Sequence, residues 1–548
     1  MPSRFNGYIK SLQQLRKTRL TVDNQQSKIE QLSRFEARTE AAEREAGQVA
    51  AAVGNAVYRL PSKVLFADDI HINKRNFTSL YSLFSRSGAD VAVGISLKGE
   101  SVLGRDDVTP EKLRALVNAA GTYDREDPVL AKHRSILDAL DGDALIASRH
   151  HHVPLFAAAQ YEALCKCLPE IADRPNAIAK TEEAVFDFLW SEHRDVLINC
   201  CAAARFWAET WSAWPDLTTR DAVFVFSGAP IYCQVLLRIM RFNKADTYVL
   251  ETFTNGQQYF CERRHSALPN ASRVRQPNVY RQLVNSFDDA DHLTRAEVRA
   301  TNRIINTKNK NVKQPPPAAG LEFGIPSDIV LIAGQVINDY SIISGCGTVL
   351  STLPVYKKLI ETLLTDERKT VVFKAHPWEL ERINVERSLT LETLTHWARD
   401  RGLPLGERLF LVSDYNLSQL LKLSGTFITL NSQAAFEAAI EGLKPVTIGG
   451  AFYDVAGFTD SFSDATSAAE AVLRGDAGGT LHLDQYMAFS RFLAALSEEH
   501  LFEIGDRGRH RLKRLLAKYA PEAITSIHQN ETEANSFRAN ITSGSSAQ

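Results

Sequence analysis

Short apolar runs alternate with helical segments along most of the chain, and this alternation limits the fold more than any other feature. In the first half, buried strands are predicted at 63–72, 89–97, 195–201, 221–228 and 246–253. Amphipathic helical segments such as AVFDFLWSEH and PIYCQVLLRIMRF lie between some of these runs. Strands that alternate with helices favour a mainly parallel sheet that is covered by helices on both faces.

The alternation stops once, in a polar stretch that ends in NTKNKNVKQPPPAAGLEFGIPSD at 306–328. Its lysines, three prolines and glycines are typical of a linker. Beyond it, strands are predicted at 328–336, 370–377, 408–414, 425–432 and 444–450. We therefore predict a two-lobed α/β enzyme, with a helical arm at 1–56, lobes at 57–305 and 328–485, a linker at 306–327, C-terminal helices at 486–526 and a disordered tail at 527–548.

The N-terminal segment 7–55 is predicted to be a long helix, because Ile9, Leu12 and Leu15 begin a series of apolar residues at helical spacing. Such an arm or short coiled coil can hold two chains together as a homodimer. The first twenty residues carry basic side chains and no acidic one. They suit either an anionic membrane surface, which means peripheral membrane association, or a solvated helix face, and the second interpretation is favoured.

The composition is that of a soluble globular protein, with 44% hydrophobic and 23% charged residues among 548 and a net charge of −2. No basic field suggests nucleic acid as a partner. The first residues lack the apolar core of a signal peptide, and no apolar run is long enough to span a bilayer. The seven cysteines include no CxxC pair, so we expect buried reduced thiols and a cytoplasmic protein.

In parallel α/β sheets ligands bind beyond the carboxyl ends of the strands, so the residues that follow each predicted strand are candidate site residues. The segment after the strand at 328–336 reads GQVINDYS and contains Gln335, Asp339 and Ser341. The segment FKAHPWE contains Lys374, His376 and Pro377, and the segment NSQAAFEAAIEG contains Asn431, Ser432 and Glu437.

His376 is presented at the end of its strand, because Pro377 has a fixed φ and biases the residue before it to extended geometry. Its imidazole can donate a hydrogen bond to a phosphate oxygen, although a histidine beside a core is often structural. Asn431 and Ser432 are predicted to begin a helix whose hydroxyl and free N–H groups would bind a phosphate. Glu437 would then accept hydrogen bonds from ribose, and the alternative is a serine cap with an ordinary surface glutamate.

Other motifs exclude several chemistries. No GxxxxGK[ST], GxSxG or HExxH motif occurs, which argues against a P-loop nucleotidase, an α/β-hydrolase and a zinc protease.

The RHHHV run at 149–153 places histidines side by side, where they seldom converge on one metal ion. Asp68 and Asp69 end the first strand and either meet a substrate or cap a helix.

The quoted motifs GQVINDYS, FKAHPWE and TLNSQAAFEAAIEGLKPVTIGGAFYDVAGFTD resemble, in that order, the capsule-polysaccharide synthesis family of bacterial β-Kdo glycosyltransferases. These are retaining enzymes of the GT-B type, with two Rossmann-like lobes and a cleft between them, and they use CMP-β-Kdo. The resemblance covers about 130 residues, 334–459. In the first half only YVLETFTNG resembles a family motif, a strand that ends in Glu-Asp-Gly-Phe. Its glutamate matches Glu251, whereas its Asp and Phe have no match.

The resemblance implies a role for each candidate residue. Asp339 would be the nucleophile, Glu251 the general acid/base, and His376 the group that stabilises the departing CMP phosphate. The resemblance places the remaining candidates around the donor: Gln335, Ser341, Lys374, Pro377, Asn431, Ser432 and Glu437. No metal or other cofactor is expected. The partners would be the donor CMP-Kdo and a glycan or lipid-linked acceptor, which the first lobe would bind.

Three alternatives remain open at this stage. A GT-B enzyme could use another nucleotide sugar, such as CMP-sialic acid or a UDP-sugar. The teichoic-acid polymerases also have an His-Pro motif, but their second signature is Thr-Asp-Tyr-Ser-Ser where this chain has TLNSQAAFE. A non-catalytic scaffold of polysaccharide assembly is the third alternative.

Overall fold

The computed structural model describes residues 58–98, 102–103, 108–118, 123, 127–173, 179–287, 289–305, 314–316, 323–325, 328–347, 349–379 and 388–519. The predicted helical arm, most of the predicted linker and the predicted disordered tail lie outside these residues. The chain forms two compact units, 1–60 with 515–548, and 61–514. The described part of the smaller unit pairs β1 (Tyr58–Arg59) with β16 (Lys518–Tyr519) in antiparallel fashion.

The first sheet of the larger unit has six strands, in the order β15-β8-β7-β6-β2-β3. They are β2 (Lys63–Asp68), β3 (Asp90–Ile95), β6 (Ala222–Phe226), β7 (Asp246–Thr252), β8 (Gln258–Arg263) and β15 (Leu501–Glu503). Strands β3, β2, β6 and β7 are parallel, and β8 is antiparallel to both of its neighbours. The strands predicted at 63–72, 89–97, 221–228 and 246–253 are confirmed.

Helices and a small hairpin fill the first half around this sheet. The hairpin pairs β4 (Arg149–His150) with β5 (Val153–Pro154). The helices are α1 (Thr78–Ser87), α2 (Pro110–Asn118), α3 (Pro128–Asp138), α4 (Gly142–Ile146), α5 (Leu155–Cys167), α6 (Glu182–Glu192), α7 (Arg194–Ala213), α8 (Ile231–Met240), α9 (Pro277–Asn285) and α10 (Ala290–Ile305). The amphipathic segments predicted to be helical form α6 and α8.

The strand predicted at 195–201 is wrong, because this segment lies within the 20-residue helix α7. The segment is a short apolar run, and such a run fits a buried strand and a buried helix equally well by periodicity. Helix α7 packs against α3, α5 and α8 and is buried along most of its length. Length and tertiary packing therefore decide the structure, and the short window around Cys200 and Cys201 does not contain that information.

The second sheet is parallel throughout, with the order β11-β10-β9-β12-β13-β14. Its strands are β9 (Ile329–Ala333), β10 (Thr370–Lys374), β11 (Leu409–Val412), β12 (Thr426–Thr429), β13 (Pro445–Ile448) and β14 (Asp460–Phe462). The accompanying helices are α11 (Tyr340–Gly345), α12 (Thr352–Leu363), α13 (Leu389–Asp400), α14 (Leu417–Leu423), α15 (Ala434–Ile440) and α16 (Ala465–Arg474). All five strands predicted here are confirmed.

Both faces of the second sheet are covered, which explains why its strands are continuous apolar runs. All five residues of β9 are buried. Leu331 packs into the hydrophobic cluster that also contains the first sheet, whereas Val330 and Ile332 pack into the cluster on the opposite face. The predicted α/β class, with two Rossmann-like, largely parallel sheets, is confirmed.

The C-terminal part of the larger unit returns to the first sheet. Helix α17 (Leu483–Glu499) packs against α9 and α10, β15 follows it, and α18 (Asp506–Leu516) closes the unit. The segment predicted to be only C-terminal helices therefore also supplies an edge strand.

Among the described helices none is long and apolar enough to cross a membrane. All seven cysteines are described, buried and outside any disulfide.

Candidate active site

The strand order of the second sheet reverses at β9. The chain continues from β9 to β10 and β11 on one side, and then to β12, β13 and β14 on the other. In the register, Ala333 of β9 aligns with Lys374 of β10 and with Thr429 of β12. Such a switch point leaves a crevice beyond the carboxyl ends of the strands, where ligands bind.

A hydrogen-bonded cluster of three predicted site residues lies at this switch point. The Gln335 amide donates to Asn431 Oδ1 at 2.8 Å, and the Asn431 backbone N–H donates to Gln335 Oε1 at 2.9 Å. The Ser341 hydroxyl is 3.3 Å from Asn431 Oδ1, and Asn431 Nδ2 donates to the Ser341 carbonyl at 2.9 Å. Gln335 and Asn431 are buried. The structure thus brings together residues that are about 90 positions apart in the sequence.

Asp339 caps helix α11, which follows β9. Its Oδ1 accepts the backbone N–H of Ser341 at 2.8 Å. The capping hydrogen bond holds the Asp339 carboxylate beyond the carboxyl end of β9 and occupies one of the two carboxylate oxygens. A capping role and a chemical role are therefore compatible for this side chain.

Glu251 is the penultimate residue of β7 in the first sheet, and the charge of Asp339 acts on it. Burial raises the pKa of Glu251 to about 7, and the negative charge of Asp339 adds to this rise. A hydrogen bond of 3.0 Å from the Thr252 backbone N–H to Oε1, a hydrogen bond from Ser227 and the charge of His71 all act in the opposite direction. The two carboxyl groups come from different sheets and are near enough for one charge to act on the other.

His376 follows β10, two residues beyond Lys374. Its Nδ1 accepts the backbone N–H of Trp378 at 3.1 Å, which requires an unprotonated Nδ1 and makes Nε2–H the donor of the neutral ring. Strand β9 lies between β10 and β12, so two strand spacings, about 10 Å, separate the end carrying His376 from the end carrying Ser432. The two residues therefore lie on opposite sides of Gln335.

The helix after β12 begins later than predicted. Helix α15 begins at Ala434 with Gln433 as its N-cap residue, whereas Asn431 and Ser432 were predicted to begin it. The Gln433 side chain accepts the Thr254 backbone N–H at 2.9 Å, so the first sheet engages this position. Ser432 still lies one residue before the cap, and its Oγ accepts the Ala434 N–H at 3.2 Å. Glu437 lies in the first turn of α15 and is partly buried.

Lys374 is buried and directed at the neighbouring strand end. Its ammonium group donates to the Ser413 carbonyl at 2.9 Å, and burial lowers the pKa of Lys374 to about 8. It therefore fixes the ends of β10 and β11 to each other. Pro377 is partly buried beside His376. The nucleotide-binding roles of both residues stay predictions.

Asn270, which follows β8, connects the first sheet to two loops of the second. Its Nδ2 donates to the Gly345 carbonyl at 2.7 Å and to the Gly450 carbonyl at 2.9 Å. Its Oδ1 accepts the Phe452 backbone N–H at 2.8 Å. Because one side chain satisfies three backbone groups, the C-terminal end of α11 and the loop after β13 are held in place relative to the first sheet.

Residues 290–477 match the family model described as "Capsule polysaccharide biosynthesis protein". This match confirms the resemblance to capsule polysaccharide biosynthesis proteins. The matched segment contains every predicted site residue except Glu251, which lies in the first lobe. No curated protein matches the chain significantly.

Several solved structures are similar to the chain at low identity. The β-Kdo 2,4 transferase KpsC of Thermosulfurimonas dismutans is 16% identical over 50% of this chain and 79% of its own, with a TM-score of 0.35. The β-Kdo 2,7 transferase of the same organism is 16% identical over 57% and 85%, with a TM-score of 0.31. The glycosyltransferase of kitacinnamycin is 11% identical over 83% and 98%, with a TM-score of 0.29.

Sequence reasoning missed a group of polar residues next to Glu251, in the half that the capsule family model does not match. Asp68, left open as a substrate contact or a helix cap, accepts hydrogen bonds from the His71 backbone N–H and the Tyr232 hydroxyl. Asp69 accepts the Leu97 backbone N–H at 2.6 Å and the Ser96 hydroxyl at 2.7 Å, so it connects the ends of β2 and β3. The available signal was the FADDIH run at the end of the first strand.

Metal ligands do not cluster in the described residues, where no group of three His, Cys, Asp or Glu side chains lies close enough to hold an ion. The polar groups that do converge are the carboxyl groups of Glu251 and Asp339, which interact electrostatically, and the amide and hydroxyl cluster around Gln335, while His376 follows β10 of the same sheet as that cluster. This set can transfer protons, offer a carboxylate nucleophile and donate hydrogen bonds to an anion.

Proposed function

We propose that the chain is a glycosyltransferase of polysaccharide assembly that transfers Kdo from CMP-β-Kdo to a glycan acceptor with retention of configuration. The supporting observation is that Glu251, near the carboxyl end of β7, interacts electrostatically with Asp339, which follows β9 of the other sheet. Two carboxyl groups held in different environments can divide the tasks of nucleophile and proton carrier. The match to the capsule polysaccharide family supports the same assignment.

The proposed reaction has two steps. Asp339 attacks the anomeric carbon of Kdo, and the bond from that carbon to the CMP phosphate oxygen breaks. The acceptor hydroxyl then attacks the same carbon from the face that CMP has left, while Glu251 takes the hydroxyl proton and the bond to Asp339 breaks. A group with a pKa near 7 is suited to accepting this proton, because it is partly ionised at neutral pH.

CMP would occupy the crevice at the switch point of the second sheet. His376 would donate from Nε2 to the phosphate, and its hydrogen bond from Trp378 supports this tautomer. Ser432 and Asn431 would contact the phosphate from the end of β12, and Glu437 would contact the ribose. Gln335 and Ser341 would orient the sugar, and Lys374 and Pro377 would shape the end of β10. A glycan or lipid-linked acceptor would approach from the first lobe.

Nucleotide release tests the donor. The purified protein is incubated separately with CMP-Kdo, CMP-sialic acid and UDP-sugars, and free nucleotide is measured by chromatography. We expect release from CMP-Kdo and not from the other donors. Release from a UDP-sugar or CMP-sialic acid alone would contradict the Kdo assignment, and release from none would favour a scaffold.

Intact-mass analysis tests the nucleophile. In Glu251→Gln the second step is slowed more than the first, so we expect a protein adduct that carries one Kdo residue after incubation with CMP-Kdo. The adduct should be absent from Asp339→Asn under the same conditions. A Kdo adduct that survives in Asp339→Asn would show that another side chain is the nucleophile.

A further inference from the structure

His71 lies at the carboxyl end of β2, three residues after the buried Asp68. Asp68 Oδ1 accepts the His71 backbone N–H at 2.6 Å and lies 3.2 Å from the His71 Nδ1. The Tyr232 hydroxyl, which comes from α8, donates to Asp68 Oδ2 at 2.8 Å and is 3.1 Å from the His71 Nδ1. The imidazole stacks on Phe226, with ring centroids 5.5 Å apart and planes 7° apart. Its position is therefore fixed on three sides.

The strand order places His71 and Glu251 on either side of the end of β6. Strands β2, β6 and β7 are adjacent and parallel. Asp68, Phe226 and Glu251 therefore all lie at or near the carboxyl ends of their strands, on the same side of the first sheet. Ser227 follows β6 with a φ of 58°, which is unusual for a residue with a side chain, and its hydroxyl bonds to Glu251. Strained residues of this kind cluster at functional sites.

The charges around His71 favour its protonated form. Burial lowers the pKa of His71, but the hydrogen bond and charge of Asp68, together with the charge of Glu251, raise it above its ordinary value overall. Burial raises the pKa of Asp68, and the hydrogen bonds and charge of His71 outweigh this and lower it. The titratable groups that face His71 are thus Asp68, Tyr232 and Glu251. His71 and Asp68 form an ion pair whose cationic side acts on Glu251.

We propose that His71, held by Asp68 and Tyr232, is a positioning residue that favours the ionised form of Glu251, the form that accepts the proton of the acceptor hydroxyl. The inference rests on the proposed function only in naming Glu251 as the base, since the contacts of His71 stand without it. His71 changes no bond in the transfer step. The proton moves from the acceptor oxygen to Glu251, and the positive charge of His71 favours the ionised form of Glu251 before that step.

A histidine titration tests this coupling without any substrate. The full chain is labelled with ¹³C at histidine Cε1, and the His71 resonance is assigned by its loss in His71→Gln. We expect the pKa of His71 to lie above the ordinary value, and to fall in both Asp68→Asn and Glu251→Gln. A His71 pKa that is unchanged in Glu251→Gln would overturn the proposal, because coupling between two groups is reciprocal.

The pH profile of the transfer reaction gives the second readout. In His71→Gln the pKa of Glu251 should rise, so the acidic limb of kcat/KM should move up by about one pH unit. At pH 6 the loss would be about tenfold, whereas at pH 9 the rate would be close to that of the unmodified chain. His396→Gln, at an exposed histidine of α13, is the matched control and should leave the limb in place.

The two readouts separate two kinds of failure. If the histidine titration shows coupling but no nucleotide sugar is consumed, the proposed function is wrong and the His71–Glu251 pair stands. If transfer occurs and His71→Gln lowers the rate equally at all pH values, His71 has a merely structural role and the proposal is wrong.

Discussion

The carboxyl group of Glu251 lies close enough to that of Asp339 for the negative charge of Asp339 to raise the pKa of Glu251, although Glu251 belongs to a strand of one sheet and Asp339 follows a strand of the other. Neither sheet contains the pair alone. The proposed chemistry therefore depends on correct docking of one sheet against the other, and side chains such as Asn270 and Gln433 that contact both become part of the site's support.

The raised pKa of Glu251 has a consequence for stability. The pKa is about 7 in the folded chain and about 4.5 when unfolded, so the folded state binds an extra proton between these values. The part of the folding stability that depends on Glu251 is fully present below pH 4.5 and is lost as the pH rises through 7. Glu251→Gln should therefore raise the free energy of unfolding at pH 8 by roughly 2–3 kcal/mol, and by much less at pH 5.

Thermal unfolding at pH 5 and pH 8 measures this difference. Glu499→Gln replaces an exposed glutamate at the end of α17 and is the control. The explanation fails if the thermal midpoint of Glu251→Gln changes by the same amount at both pH values.

Asp339 should show separable structural and chemical roles. Asparagine is a good N-cap residue, so Asp339→Asn should keep the cap of α11 and the thermal midpoint. Asp339→Ala should cost about 1 kcal/mol of stability. Both substitutions should lower nucleotide-sugar turnover by more than about a thousandfold, since both remove the proposed nucleophile.

Turnover and thermal midpoint are measured on the same preparations of the two variants. If Asp339→Asn retains more than about a tenth of the turnover, Asp339 is a helix cap and not the nucleophile.

The sequence predicts the strands and the residues that follow them well, because both depend on local pattern and on one general rule for parallel sheets. Gln335, Ser341 and Asn431 were selected by position after strands, and they meet at the switch point. The strand predicted at 195–201 failed because the long buried helix α7 is apolar on several faces and looks like a strand in a short window.

His71 and Ser227 could not be selected from the sequence for a different reason. The role of His71 depends on its neighbour Asp68 and on Tyr232 and Glu251, which lie on two elements more than 150 positions further along the chain. The positive φ of Ser227 is imposed by contacts of the folded chain and leaves no local signature. The start of α15 was misplaced because Gln433 is engaged by Thr254 of the first sheet.

Asn270 should tolerate glycine better than alanine. Its φ of 52° lies in the left-handed region, which costs alanine about 1–2 kcal/mol and glycine little. Both substitutions remove the three hydrogen bonds to Gly345, Gly450 and Phe452, so both should destabilise the chain. We expect the thermal midpoint to fall in Asn270→Gly and to fall further in Asn270→Ala.

Backbone amide exchange around Gly345 and Gly450 should be faster in both Asn270 variants, because those loops lose their connection to the first sheet. If Asn270→Ala is as stable as Asn270→Gly, the backbone at position 270 has relaxed out of the left-handed region and the conformational argument is wrong.

Glu262 fixes the C-terminal strand β15 to the first sheet. It is 3% exposed, its Oε1 lies 3.1 Å from His500 Nδ1, and its Oε2 accepts from Arg264 at 3.1 Å. Burial raises the pKa of Glu262, but the hydrogen bond and charge of His500 and the charge of Arg264 outweigh this and lower it. The ionised Glu262 therefore stabilises the fold above pH 4.5, which is the ordinary pKa of a glutamate. This stabilisation is lost as the pH falls through the lower pKa that Glu262 has in the folded chain.

Glu262→Gln should cost about 3 kcal/mol at pH 7, because it leaves the charge of Arg264 buried without its partner, and it should cost less at pH 4. Hydrogen exchange of the β15 amides, Leu501–Glu503, should accelerate at pH 7, while exchange in β9 should not change. Glu498→Gln, an exposed position in α17, is the matched control. If Glu262→Gln costs less than about 0.5 kcal/mol at pH 7, desolvation of the buried ions offsets their attraction, and the network does not hold β15 in the sheet.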